Sequence, residues 1–142
     1  MRIFAAATLA ATLLAPTANA YTAINGLTVN PVANGYEVIA RAGSGPRQFW
    51  CAAAQYARAK GAGPTQRVYI SKGYGPSTTQ QGRRAVTYTI APSGALLPGT
   101  RPGDNGNYSV SIRTPGFNLS VGHAEGFCSD VWEELTERWP FH

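Results

Sequence analysis

Four stretches of the chain alternate apolar and polar side chains with a period of two, the pattern of a β-strand with one buried face. Val68 and Ile70 point one way and Arg67, Tyr69 and Ser71 the other, while Val86, Tyr88 and Ile90 oppose Ala85, Thr87 and Thr89. Tyr108, Val110 and Ile112 oppose Ser109, Ser111 and Arg113, and Phe117, Leu119 and Val121 oppose Asn118 and Ser120. Two earlier runs, 24–29 and 36–41, flank Asn34-Gly35, a pair that supplies the positive φ angles of a tight hairpin turn, so these runs are expected to pair antiparallel. Thr114-Pro115-Gly116 is short enough to join the last two runs as a hairpin. The stretches 73–82 and 91–106 are polar and rich in Gly and Pro, and read as long loops.

One helix is predicted over 46–60, with Gly45 as cap, Pro46 in the first position, Gln48 in the first turn and Gly61-Ala62-Gly63-Pro64 as terminator. At 100° per residue Phe49, Ala52, Ala53, Tyr56 and Ala57 share one side. Cys51 falls with Arg47 and Arg58 on the side turned away from the sheet, which reads as the exposed side. A short C-terminal helix is predicted after Asp130, capped by that residue with Glu133 in its first turn. Its apolar stripe of Val131, Trp132, Leu135 and Trp139 is expected to dock on the domain. The expected fold class is α+β: an antiparallel sheet of five or six strands with one helix packed on one face, plus the short C-terminal helix.

Residues 1–20 read as an export signal, with Arg2 at the start, an apolar run from 3 to 14 and Ala18-Asn19-Ala20 as the cleavage site. Removing them leaves a single domain, 21–142, long enough to bury a core of its own. The apolar run is too short to span a bilayer, and no later stretch of the mature chain reaches that length. The expected location is therefore periplasmic or secreted. Eleven basic residues then face seven acidic ones, a net charge of about +4 that draws the domain weakly toward anionic cell-wall or envelope components. Nucleic acid is not an expected partner. Two cysteines in an exported chain, Cys51 and Cys128, most simply mean one disulfide.

The chemistry-bearing residues are sparse. Cys51 lies in the first half of a helix, where a thiolate is favoured, and His123 could serve as its base. The run Phe49-Trp50-Cys51-Ala52-Ala53-Ala54-Gln55-Tyr56 resembles the cysteine helix of papain-like and cell-wall amidase families, and that resemblance implies a cysteine-dependent cell-wall hydrolase. His123-Ala124-Glu125 is too short a pattern to name a metal site, and neither a metal nor a cofactor is expected. Gly73-Tyr74-Gly75-Pro76-Ser77 lacks the Gly-Lys-Ser/Thr element of a phosphate loop and reads as a turn. The open sheet face is the best candidate for binding. Arg67, Tyr69, Thr87, Ser109, Ser111 and Arg113 would share it, offering hydroxyls, one ring and two guanidinium groups to an anionic or sugar-rich ligand, with Arg83 and Arg84 extending the patch.

The export signal, the opening hairpin, Phe49-Trp50-Cys51-Ala52-Ala53 and the Ser- and Val-rich stretch from Ser109 to Cys128 together resemble a group of small exported bacterial proteins of unknown function. That resemblance implies a location and a disulfide and no activity. The reading is a non-enzymatic binding or structural accessory domain stapled by Cys51 and Cys128. The hydrolase using Cys51 and His123, and an inhibitor of an exported enzyme, are the alternatives.

Overall fold

Six strands form one antiparallel sheet in the computed structural model, which describes residues 20–129. Residues 1–19 of the predicted export signal, and the predicted helix from Asp130 with its stripe, lie outside the described residues. The strands are β1 (Tyr21–Thr22), β2 (Thr28–Val32), β3 (Gly35–Ile39), β4 (Arg67–Pro76), β5 (Arg84–Thr89) and β6 (Asn118–Ser120), in the spatial order β1-β2-β3-β5-β4-β6. Helix α1 (Pro46–Ala59) packs on one face, and a short helix α2 (Val121–Glu125) follows β6. The α+β class and an antiparallel sheet within the expected five or six strands are as the sequence predicts, although the strands are not all drawn from the expected runs. No helix among the described residues is long and apolar enough to cross a membrane.

Asn34 adopts a left-handed φ of 60° in the two-residue turn between Val32 and Gly35, as the Asn-Gly pair requires. The run before it is split. Gly26, at φ 82°, turns the chain so that the Ala23 N–H bonds the Leu27 carbonyl at 2.9 Å, which leaves 21–22 as a separate short strand. That strand pairs only with Thr28 and Val29, so Pro31, which has no N–H to give, sits where β2 has an open side.

The N-terminus of α1 is closed by Gln48, whose Oε1 accepts the Gly45 N–H at 2.6 Å, and the helix ends at Ala59 before Gly61 at φ 95°. Phe49, Trp50, Ala52, Ala53, Tyr56 and Ala57 are buried against the sheet, where Trp50 meets Tyr88 at 4.9 Å and Tyr56 meets Tyr36 at 4.5 Å between ring centroids. Each buried side chain of Phe size contributes about 1.5–3 kcal/mol. The alanines between them let helix and sheet approach closely.

Three expectations are corrected. Residues 108–113 form no strand of the sheet, and β6 pairs with β4 in place of the predicted hairpin across 114–116. The carbonyls of that stretch are taken one at a time: Ser111 accepts the Trp50 indole N–H at 2.8 Å and Ile112 accepts the Tyr74 N–H at 2.8 Å, so no ladder forms. The second correction concerns β4, which runs through Gly73-Tyr74-Gly75-Pro76 with two register shifts against β5, in place of a turn. Third, Cys51 is fully buried, because α2 and the turn after it cover the side of α1 that faces away from the sheet.

Candidate functional site

The outer side of α1 is strapped along one helical stripe. Arg47 lies over the Phe127 ring at 5.6 Å, Cys51 is bonded to Cys128, and Arg58 grips Glu125 with both ends of its fork at 2.6 and 3.3 Å. With its sulfur committed to the disulfide, Cys51 has no thiolate to offer, and the hydrolase reading with His123 as base loses its nucleophile. His123 stands exposed on α2, its backbone N–H capped by the Ser120 hydroxyl at 3.1 Å and its ring 5.6 Å from that of Phe127.

The predicted ligand face is divided. Arg67, Tyr69 and Thr87 lie on adjacent strands with the expected parity, Tyr69 opposite Asn118 and Thr89, and Thr87 opposite Glu37 and Lys72. Arg67 donates to the side-chain oxygen of Asn118 at 2.7 Å and to its carbonyl at 3.1 Å. Burial first, and the charge of Arg101 second, lower the Arg67 pKa, so a second guanidinium stands nearby. Ser109, Ser111 and Arg113 belong to the irregular stretch before β6, where Ser109 borders a cleft beside α1 and Arg113 reaches Tyr74.

Glu37 sits opposite Thr87 and is 1% exposed, yet no cation pairs with it among the described residues. The loop after β4 wraps it. The N–H groups of Thr78 and Thr79 donate at 3.1 and 3.0 Å, and the hydroxyls of Ser77, Thr78 and Thr79 donate to the same carboxylate. Burial alone would raise its pKa, but the hydrogen bonds from the Ser77 and Thr79 hydroxyls and from the Thr78 and Thr79 N–H groups outweigh burial and hold the carboxyl below its ordinary value.

The bulged end of β4 builds a cationic cluster. Tyr74 meets Phe49 of α1 edge-on at 6.0 Å, and the guanidinium groups of Arg84 and Arg113 lie over its ring at 5.7 and 5.6 Å. Gly73 makes room for this: a Cβ there would lie 2.3 Å from the Arg113 carbonyl oxygen. A guanidinium can meet a phosphate or carboxylate through two parallel N–H hydrogen bonds, and two of them are gathered at this ring. Both arginines are exposed. The three carboxylates of the described residues are engaged elsewhere: Glu37 in its loop, Glu125 with Arg58, and Asp104 with the Arg101 backbone N–H at 2.9 Å. Ten arginines and lysines lie in the same stretch of chain.

A second feature is a cleft of about 670 Å³ at the N-terminus of α1, walled by Arg47, Tyr108, Val110, His123 and Phe127. Among the described residues no three of His, Cys, Asp and Glu come together as a metal site. Comparison with protein-family models, curated proteins and solved structures finds no match to the chain.

Proposed function

We propose that the chain is an exported, non-enzymatic binding domain, periplasmic or secreted, that holds an anionic component of the cell wall or envelope through Arg84 and Arg113. The observation that carries this reading is the gathering of two guanidinium groups on the Tyr74 ring, in a domain whose described carboxylates are all otherwise engaged. The signal-like pattern of residues 1–20, the disulfide, which oxidising compartments favour, and the resemblance to small exported bacterial proteins support the location.

The test is retention of the mature protein on immobilised poly(glycerol phosphate). Retention should weaken as salt screens the contact, and Arg84→Ser with Arg113→Ser should abolish it while Lys60→Ser leaves it intact. Unchanged retention of the double variant rejects this site. Arg67→Ser tests the outer sheet face separately.

A further inference from the structure

We propose that the cleft beside the last turn of α1 binds an amphipathic carboxylate, its charged head on Lys60 and its apolar body along the segment after β5. The cleft holds about 630 Å³, within the range of small-molecule sites. Tyr56 and Lys60 line it from α1, Ser71 from β4, and Ile90, Ser93 and Leu96 from the segment beyond β5. It shares no residue with the Tyr74 cluster.

Two polar groups of this lining have no task among the described residues. The Tyr36 hydroxyl donates to the Ala53 carbonyl at 2.9 Å, but the neighbouring Tyr56, only 7% exposed, has a hydroxyl that bonds no described residue. Lys60 is the one charged residue of the lining. Its ammonium lies over the Tyr56 ring at 5.3 Å, which holds it at the cleft, and no described carboxylate pairs with it. The carbonyls of the last helical turn are already engaged: those of Tyr56 and Ala57 accept the Lys60 N–H, that of Ala57 also the Ala62 N–H, and that of Arg58 the Gly61 N–H. A single ammonium beside an unspent hydroxyl suits one carboxylate, which accepts from both. Ile90 and Leu96 add apolar surface to the same cleft. A bare inorganic anion leaves that surface uncovered, and an uncharged hydrocarbon leaves Lys60 unmatched. The class that meets both is a carboxylate carried on an apolar body.

Titration of the full mature chain with decanoate below its micelle-forming concentration, followed by amide NMR, tests this. The amides of Lys60, Ser71, Ala91 and Ser93 should shift and saturate. Lys60→Gln should weaken binding roughly tenfold or more, and Tyr56→Phe by a factor of about two to ten, as loss of a charged and of a neutral hydrogen bond would. Tyr56→Phe keeps the ring that packs on Tyr36 and removes a hydroxyl that no described residue uses, so it reads binding and not folding. Lys72→Gln, which removes an exposed charge outside the cleft, should bind decanoate as the parent chain does. Decanol, with the same body and no charge, should bind roughly tenfold more weakly, and inorganic phosphate should leave these amides in place. Decanoate that produces no saturable shift in this lining overturns the proposal, as does saturable binding confined to the cleft of Arg47 and His123. Equal binding of decanol, or equal losses in Lys60→Gln and Lys72→Gln, overturns the charged head, and phosphate binding as well as decanoate overturns the apolar body. None of these outcomes depends on retention on poly(glycerol phosphate), which is read at Arg84 and Arg113.

Discussion

Thr79 holds Glu37 twice, its backbone N–H donating to Oε1 at 3.0 Å and its hydroxyl to the same oxygen, across 42 residues of sequence. The contact ties the loop after β4 to the middle of the sheet with no opposite charge, so its strength depends on the carboxylate remaining ionised.

Glu37→Gln should therefore loosen residues 77–80 and lower stability by about 1–3 kcal/mol, since the amide has only one oxygen for donors that served two. The pH dependence has a definite sign. With its folded pKa below the ordinary carboxylate value, Glu37 contributes fully above that range and loses its contribution as pH falls through it. Urea midpoints near neutrality and at about pH 3 should converge in the variant more than in the parent chain. A parent midpoint that rises in acid would contradict this.

The Tyr88 hydroxyl is buried and has no hydrogen-bond partner among the described residues, while its ring packs on Trp50 and Tyr36. Burial drives its pKa well up, so the group is neutral and purely a desolvation cost. Tyr88→Phe keeps the ring contacts and should raise stability by about 1 kcal/mol, read as a higher urea midpoint with unchanged slope.

Opening the disulfide should be the costliest single change to the strap. The bond spans 77 residues, for which the chain-entropy account sets an upper figure of roughly 4–5 kcal/mol. Cys128→Ser should lower Tm by roughly 10 °C or more. Arg58→Ala, which removes an exposed ion pair on the same stripe, should leave Tm nearly where it was. Peptides of the two cysteines should be linked when the protein is digested without reductant.

Gly73→Ala tests the Tyr74 cluster through the backbone. The added methyl has no room beside the Arg113 carbonyl, so residues 112–113 must move and carry Arg113 off the ring. Retention on poly(glycerol phosphate) should fall toward that of Arg113→Ser. The far-ultraviolet spectrum should hold, because 112–113 contribute to no strand.

What could be read from sequence was local. The cap of Gly45 and Gln48, the alanine-rich face of α1, the Asn34 turn and the alternation of β5 are all specified within a few residues, and the structure has them as expected. The failures are non-local. Residues 108–113 alternate as well as any strand here, yet the free edge of β4 is covered by β6 at 67–69, and only single bonds from Trp50 and Tyr74 remain for them. The glycines of 73–75 read as a loop because glycine marks turns, whereas here Gly73 lets another segment lie against a strand. Cys51 projects away from the sheet as the helical wheel has it, but no wheel shows that a second helix covers that side. Arg84 and Arg113 were visible as charges; the ring that joins them lay in the misread loop.

The placement of β5 between β3 and β4 has a consequence for the order of assembly. A chain folding from its N-terminus can close β2 onto β3 at once, but β3 then has a bare edge until residues 84–89 arrive, and β4 has no place in the sheet before them. The strap comes last of all. Cys51 waits on the outside of α1 while all six strands are laid down, and meets Cys128 only once β6 has brought the chain back over the helix. Bond formation between them thus marks a finished sheet, and a chain stopped before residue 118 would carry a solitary thiol and leave the 67–69 edge of β4 unpaired.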